Sequence, residues 1–359
     1  MKKLISIVIA LAMILVFSSC GTPEEVQPEE QIDYEVALVT DAGLLMNGGY
    51  SEVAWDTISE FCASQGISHK YYKAVEATEK SYEAVIKNSV VQGAKLIIAD
   101  GYSFEKVVFD AQEEYPDVKF ILIDAEPTDD DTGKSKIGKN TADIEFASEQ
   151  AGYLAGYAAV AGGFTKLGFM GDERKSTIID YGYGFLQGVQ KAAEQIDTTV
   201  DMNYSYSAYD EDREDILEEA KNWYDEGTEV IFACGSNVEL PVIEAAESAG
   251  KNVIASETDK STMSDRIAAS AVKDFQKALE SILKQYAEGE FPGGNEISYT
   301  VSDEMISLVF NEDVFSDIDR SKYKDIIEAL ESGDIGIKKS DGGGLSKLNF
   351  DNIDIDGEM

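Results

Sequence analysis

Residues 94–125 read AKLIIADGYSFEKVVFDAQEEYPDVKFILIDA, and this stretch decides the fold. AKLIIAD (94–100) and KFILIDA (119–125) are short β-rich runs whose apolar residues are nearly continuous, with a helical stretch near 103–115 between them. An alternating strand keeps one face wet, whereas a continuous apolar run is buried on both faces. Strand, helix and strand of this kind predict a parallel sheet with helices on each side.

The alternation continues in both directions. Upstream, EVALVTD (35–41) precedes an amphipathic segment in which Tyr50, Ala54, Ile58, Phe61 and Cys62 recur at helical spacing, and SHKYYKAV (68–75) precedes a helix near 79–92. Downstream of the acidic, turn-rich EPTDDDTGKS, helices near 145–161, 182–195, 212–225 and 239–249 alternate with TKLGFMG (165–171), VDMNYSYS (200–207), EVIFACG (229–235) and NVIASE (252–257). The predicted class is α/β, with two doubly wound, Rossmann-like lobes joined by a multi-strand hinge. Residues 35–142 plus about 258–295 are expected in the N-terminal lobe, and 143–257 plus about 296–337 in the C-terminal lobe. Hinge crossings are expected near 125–145, 257–267 and 290–300, and 338–359 reads as an acidic tail with a flexible GGG linker at 342–344.

The chain starts with Lys2 and Lys3, an apolar run from Leu4 to Phe17, then Ser18, Ser19, Cys20 and Gly21. A charged start, an apolar run too short to span a bilayer and small residues before a cysteine predict a signal peptide over 1–20. Phe-Ser-Ser-Cys resembles a bacterial lipobox, which implies acylation of Cys20 and an extracytoplasmic chain anchored to the cell membrane. Residues 21–34 are polar, acidic and contain proline, and suit a flexible tether.

With 69 acidic and 30 basic residues the formal charge is −39, which excludes nucleic acid and anionic lipid surfaces as partners. Cys62 and Cys234 lie in apolar stretches (EFCAS, VIFACGS) and read as buried free thiols rather than a disulfide. His69 is the only histidine and has no nucleophile near it in sequence, so Ser-His-Asp and Cys-His chemistry would rest on that one residue and no enzyme is expected. TGKS (132–135) lacks the glycine of a phosphate loop, since position 128 is Thr. Asp129, Asp130, Asp131 and the terminal DNIDIDGEM lack the full spacing of a calcium loop and read as solvated acidic segments, so no metal or cofactor is expected.

Doubly wound sheets bind ligands beyond the carboxyl ends of their strands. Here those ends are Asp41, Asp100, Asp124, Gly171, Gly235 and Glu257, an acceptor-rich set suited to a ligand with hydroxyl and amino donors and unsuited to a phosphate. Trp55, Tyr102, Tyr181, Tyr183 and Tyr209 fall near the same ends; each either packs in the core or offers a face for stacking.

The order of VTDAGLLMNGGYSEVAW, EQAGYLAGYAAV, GFMGDERKSTIIDYGYGFLQGV, ACGSNVELPVIEAAESAG and VIASETDKS over about 35–290 resembles the basic membrane protein family of solute-binding lipoproteins, which contains purine nucleoside receptors of ABC transporters. The resemblance implies a type I periplasmic-binding-protein fold, a monomer, and delivery of a nucleoside of purine type to a permease with a separate ATPase subunit. It implies that Asp41 accepts from ribose hydroxyls, that Tyr50 and Tyr209 stack on the two faces of the base, and that Asp124 reads the base edge. Gly235 would lie against the sugar, Glu257 stands where the family has a ribose-binding aspartate, and Lys273 would sit near the ribose. The first loop keeps Asp41 and Gly43 but carries Met46, Asn47, Gly49, Tyr50 and Ser51 in place of the family's paired aspartates and Ser-Phe-Asn. The rivals are a sugar receptor of the same fold, for which Arg174 would be the clamp, and a ligand-sensing lipoprotein that signals to a membrane partner.

Overall fold

Two sheets organise the computed structural model, which describes residues 34–43, 49–207, 212–316, 318–339 and 348–357. The first sheet is built from β1 (Val36–Thr40), β2 (His69–Lys73), β3 (Leu96–Asp100), β4 (Lys119–Ile123), β5 (Thr141–Phe146) and a late strand, Asn295–Tyr299. Their order across the sheet is 295–299, β5, β4, β3, β1, β2, every pair parallel. The connecting helices are α1 (Tyr50–Gln65), α2 (Glu79–Val91) and α3 (Glu105–Glu114). β1 is buried along its whole length, as the unbroken apolar run demands.

The second sheet follows α4 (Ser148–Ala161) and contains β6 (Lys166–Gly171), β7 (Val200–Tyr206), β8 (Val230–Cys234), β9 (Asn252–Glu257) and β10 (Ile267–Lys273). Between them run α5 (Ser176–Ile196), α6 (Arg213–Asp225) and α7 (Ser236–Ala249). After α8 (Phe275–Glu288), β11 (Asn295–Tyr299) returns to the first sheet, β12 (Ile306–Phe310) pairs antiparallel with β10, and α9 (Arg320–Glu331) follows. β13 (Ile353–Gly357) closes the far edge beside β7, giving the order β12, β10, β9, β8, β6, β7, β13.

One apolar core runs along the inner faces of both sheets, from Leu38, Ile98 and Ile121 to Phe169, Phe232 and Ile254. Separate cores fill the outer faces, around Phe104 and Phe120 on the first sheet and around Ile231 and Val242 on the second. Both sheets are thus covered on each side. α4 is apolar all round and buried, because it lies inside the shared core. It meets α5 at backbone distance: a Cβ on Gly152 or Gly156 would lie 2.1 Å from the carbonyl of Tyr181 or Phe185, and one on Gly184 1.9 Å from that of Glu149.

Sheet membership corrects the expected boundaries. Residues 143–146 belong to the first sheet with the rest of β5, Ile267–Lys273 to the second, and Asn295–Tyr299 to the first. The chain therefore crosses between sheets after Phe146, at the end of the expected 125–145 span, after Lys273 rather than near 257–267, and between Tyr299 and Ile306, beside the expected 290–300. The physical reason is that a crossing occurs where a buried strand ends, whereas EPTDDDTGKS forms a small hairpin in which Thr128 and Asp129 pair with Ser135 and Lys134. The carboxyl-terminal segment is also not all linker, because IDIDG at 353–357 pairs with Val200–Tyr204. Cys62 and Cys234 are buried free thiols, as their apolar surroundings require. Among the described residues no helix is long and apolar enough to cross a membrane.

Candidate functional site

In the first sheet three neighbouring strands, β4, β3 and β1, each lead into an aspartate at the carboxyl end: Asp124, Asp100 and Asp41. The beginning of α1 supplies their tethers. The Ser51 hydroxyl donates to Asp100 Oδ2, and the Tyr50 hydroxyl donates to Asp124 Oδ2 at 3.0 Å. Asp41 Oδ1 accepts from the backbone N–H of Gly43 at 2.8 Å. Asp124 takes the left-handed backbone conformation (φ 57°), and its Oδ1 is buried without a hydrogen-bond partner among the described residues.

The second sheet presents Asp172, Gly235, Glu257 and Lys273 at the corresponding ends of β6, β8, β9 and β10. Lys273 reaches across to the first sheet, donating to Asp124 Oδ2 at 2.5 Å with both side chains buried. Thr177 at the start of α5 donates to the Asp124 carbonyl at 3.2 Å, a second link between the two rims. Buried Asp172 accepts from the N–H groups of Glu173 and Asn237 and so shapes the loop after β8. Gly235 in that loop has φ 108°, and a Cβ on it would lie 2.4 Å from the Asp172 Cβ, so only glycine fits. Behind Glu257, Lys260 and Glu239 form a buried pair at 2.6 Å, and Glu239 Oε1 also accepts from the Ser256 N–H and hydroxyl.

These rims enclose a cavity of about 640 Å³, within the usual range for small-molecule sites. Asp41, Tyr50, Asp124, Gly235 and Glu257, all singled out from the sequence, line it, and Lys273 lies against it through Asp124. Tyr209 and Cys20 fall outside the described residues. The lining includes nine carboxyl side chains against three lysines, which opposes an anionic ligand. Burial pushes the Asp100 carboxyl up to about 7, with Asp41 and Asp124 adding to the rise and the Ser51 hydrogen bond opposing it. Burial likewise pushes Glu257 up to about 8, against the pull of Lys260. Glu257 also adopts φ 71°, a strained conformation for a glutamate.

Of the aromatics noted in the sequence, Tyr102 lines the cavity, with the Lys175 Nζ 5.7 Å from its ring centre. Tyr181 is buried in the core, with its ring 4.6 Å from the Lys273 Nζ, and Tyr183 is also buried. Trp55 packs instead on His69 and Tyr71. Arg174 is exposed and stacks on Tyr206 at 4.7 Å, outside the cavity lining. Ser51, Thr177, Glu239 and Lys260 were not marked from the sequence. Their signal is weak, because polar residues within or beside helices face a site only through tertiary packing.

Residues 34–340 match the Bmp family, described as ABC transporter substrate-binding protein PnrA-like. The chain is 24% identical over 333 residues to "ABC transporter nucleoside-binding protein BmpA" of Lactococcus lactis subsp. cremoris, covering 86% of this chain and 91% of that protein. It is 26% identical over 343 residues to "Basic membrane protein D" of Borreliella burgdorferi, covering 94% and 93%. A solved ABC transporter solute-binding protein from Aeropyrum pernix superposes with a TM-score of 0.73 at 17% identity, covering 86% of this chain and 94% of that one, a likeness of the type I periplasmic-binding fold. A match over most of the chain, on two doubly wound sheets that enclose one cavity at their strand ends, makes this chain a member of the Bmp family of ABC transporter substrate-binding proteins.

Proposed function

We propose that the chain captures a nucleoside of purine type in the cavity between the two sheets and hands it to the permease of an ABC importer whose ATPase is a separate chain. The observation that carries the reading is the row of three strand-end aspartates, of which Asp124 keeps one buried oxygen without a partner among the described residues. Acceptors so placed suit the hydroxyl and amino donors of a nucleoside and repel its phosphorylated forms.

In this reading Asp41 accepts from the ribose hydroxyls, Asp124 reads the base edge, and Tyr50 and Tyr209 flank the base. Gly235 brings backbone against the sugar, and Glu257 reaches its hydroxyls. Lys273 contributes near the ribose and pairs with Asp124. The pairings of Asp124 with Lys273 and Thr177 lie across the two sheets, so a ligand that engages both rims favours the closed arrangement by its differential affinity for it. The chain binds and releases without chemistry on its ligand. Acylated Cys20 anchors it outside the cell membrane as a monomer.

The test is a thermal-shift screen of residues 34–359 against nucleosides, free bases, pentoses and hexoses, since a ligand of the native state raises its stability. A rise with purine nucleosides alone supports the reading, and Asp41→Ala should then abolish the shift. A rise with sugars alone, or with nothing offered, removes the nucleoside. For the anchor, Cys20→Ser should lose incorporation of labelled fatty acid, and retained label would exclude acylation there.

A further inference from the structure

The aspartate row carries more negative charge than its surroundings balance. β4, β3 and β1 are adjacent, about 4.8 Å apart in a sheet, so Asp124, Asp100 and Asp41 lie at neighbouring strand ends, with Asp100 opposite Ile123, one position short of Asp124. Among the described residues only Asp124 has an ion-pair partner, Lys273, and it also receives the Tyr50 hydroxyl. Asp41 receives a backbone N–H and Asp100 a serine hydroxyl. The second sheet's side of the cavity presents Glu173, Glu239 and Glu257 with Lys175 and Lys260, of which Lys260 is committed to Glu239, and Glu79, Glu105, Lys106 and Asp130 line the first sheet's side. Tyr102, next on the same strand end, adds no charge. Asp100 is the middle member of the row, with Asp41 and Asp124 on the neighbouring strands and no ion-pair partner among the described residues.

We propose that Asp100 is a specificity-determining residue that meets the ligand as a neutral carboxyl group, donating a hydrogen bond to an acceptor on it, so that capture takes up one proton from solvent. The Ser51 hydroxyl fixes Oδ2, and the proton is assigned to the other oxygen, Oδ1, of this cavity-lining side chain. A site otherwise made of acceptors thereby gains a donor, suited to a ring nitrogen or ether oxygen of the ligand. The upward push of burial on this carboxyl agrees with the geometry. This inference rests on the cavity being the ligand site proposed above.

The neutral form binds, so affinity is full below the ligand-free titration midpoint and falls as the pH rises through it. Isothermal titration of the full chain with adenosine, inosine and guanosine should show about a tenfold weakening between about pH 6 and about pH 8. In Asp100→Asn that ratio should fall below about twofold. A wild-type affinity independent of pH, or a tenfold ratio that survives in Asp100→Asn, would overturn the proposal. Carbon-13 NMR of aspartate carboxyls in the ligand-free chain tests it without any ligand. The signal lost in Asp100→Asn should titrate near neutrality, and Ser51→Ala, which also serves should the first variant not fold, should move a carboxyl midpoint upward. A midpoint below about 5 for the signal lost in Asp100→Asn would overturn the inference. If no nucleoside binds at any pH while a carboxyl titrates near neutrality, the nucleoside reading fails and the protonated Asp100 stands.

Discussion

Lys273 and Asp124 show how much a single pair is asked to do: they come from different sheets, are fully enclosed, and Lys273 ends the strand after which the chain returns to the first sheet. A buried pair contributes little over an apolar substitute, but removing one partner leaves the other charge stranded. Lys273→Met should therefore cost about 3–5 kcal/mol in urea unfolding, and adding Asp124→Asn should recover part of it; additive losses would show that the two side chains act separately. Asp143 gives the opposite case. It is wholly buried, neither oxygen has a hydrogen-bond partner among the described residues, and burial with Glu145, Glu126 and Glu296 nearby pushes it up to about 9. Folding then takes up a proton, so stability is full at low pH and declines as pH rises from the ordinary aspartate range toward 9. Asp143→Asn should raise the melting temperature by at least about 3 °C near pH 8, with the gap closing toward pH 4. An equal gain at both pH values would mean that packing, not charge, is relieved. At this scale the strand ends were legible, because Asp41, Asp124, Gly235 and Glu257 each terminate an apolar run. Asp143 was not, since TADIEF lacks the continuous apolar run that marked the other strands.

The helix pair α4 and α5 carries the closest packing in the molecule's shared core. GYLAGYAAV was legible as part of a helix near 145–161, but its burial and its partner were not marked, because the matching glycines, Gly184 and Gly188, lie about 30 residues on and pairing between helices leaves no local mark. Gly156→Val would place a side chain where only 2.1 Å separates its Cβ from the Phe185 carbonyl. The helices must part, at a cost of at least about 3 kcal/mol. Gly336→Ala, with open space around it, should change stability by less than about 0.5 kcal/mol. Chemical denaturation of the two variants checks both values, and a tolerated Gly156→Val would mean that the seam is looser than its backbone contacts imply.

For the molecule as a whole, the alternation of strands and helices was enough to give the class and the number of sheets, but not where the chain changes sheets. Crossing points depend on which distant strand each new strand joins, as β10 and β11 illustrate by joining opposite sheets despite being consecutive. The formal charge of −39 acts at the same scale. Like charges repel most when the screening length is long, about 30 Å at 0.01 M salt against about 8 Å at 0.15 M. The ligand-free chain should therefore melt at least about 2 °C higher at the greater ionic strength. A melting temperature that stays constant or falls would mean that ion pairs such as Lys106 with Asp110 outweigh the general repulsion.

The outermost strand of the second sheet has a consequence for how the protein opens. β13 is tied to the body by bonds that span 154 residues, from Asn352 to the Thr198 carbonyl, and 162 residues, between Asn352 and Gln190. Closing so long a loop is entropically expensive, and an edge strand contacts a neighbour on one side alone. Such a strand docks late and detaches first, so its amide protons, with those of β7 that it protects, should exchange with solvent by local opening long before those of β8 in the sheet's centre. The second sheet thus ends in a latch, whose release would lay bare the backbone of β7 while leaving the cavity at the strand ends intact.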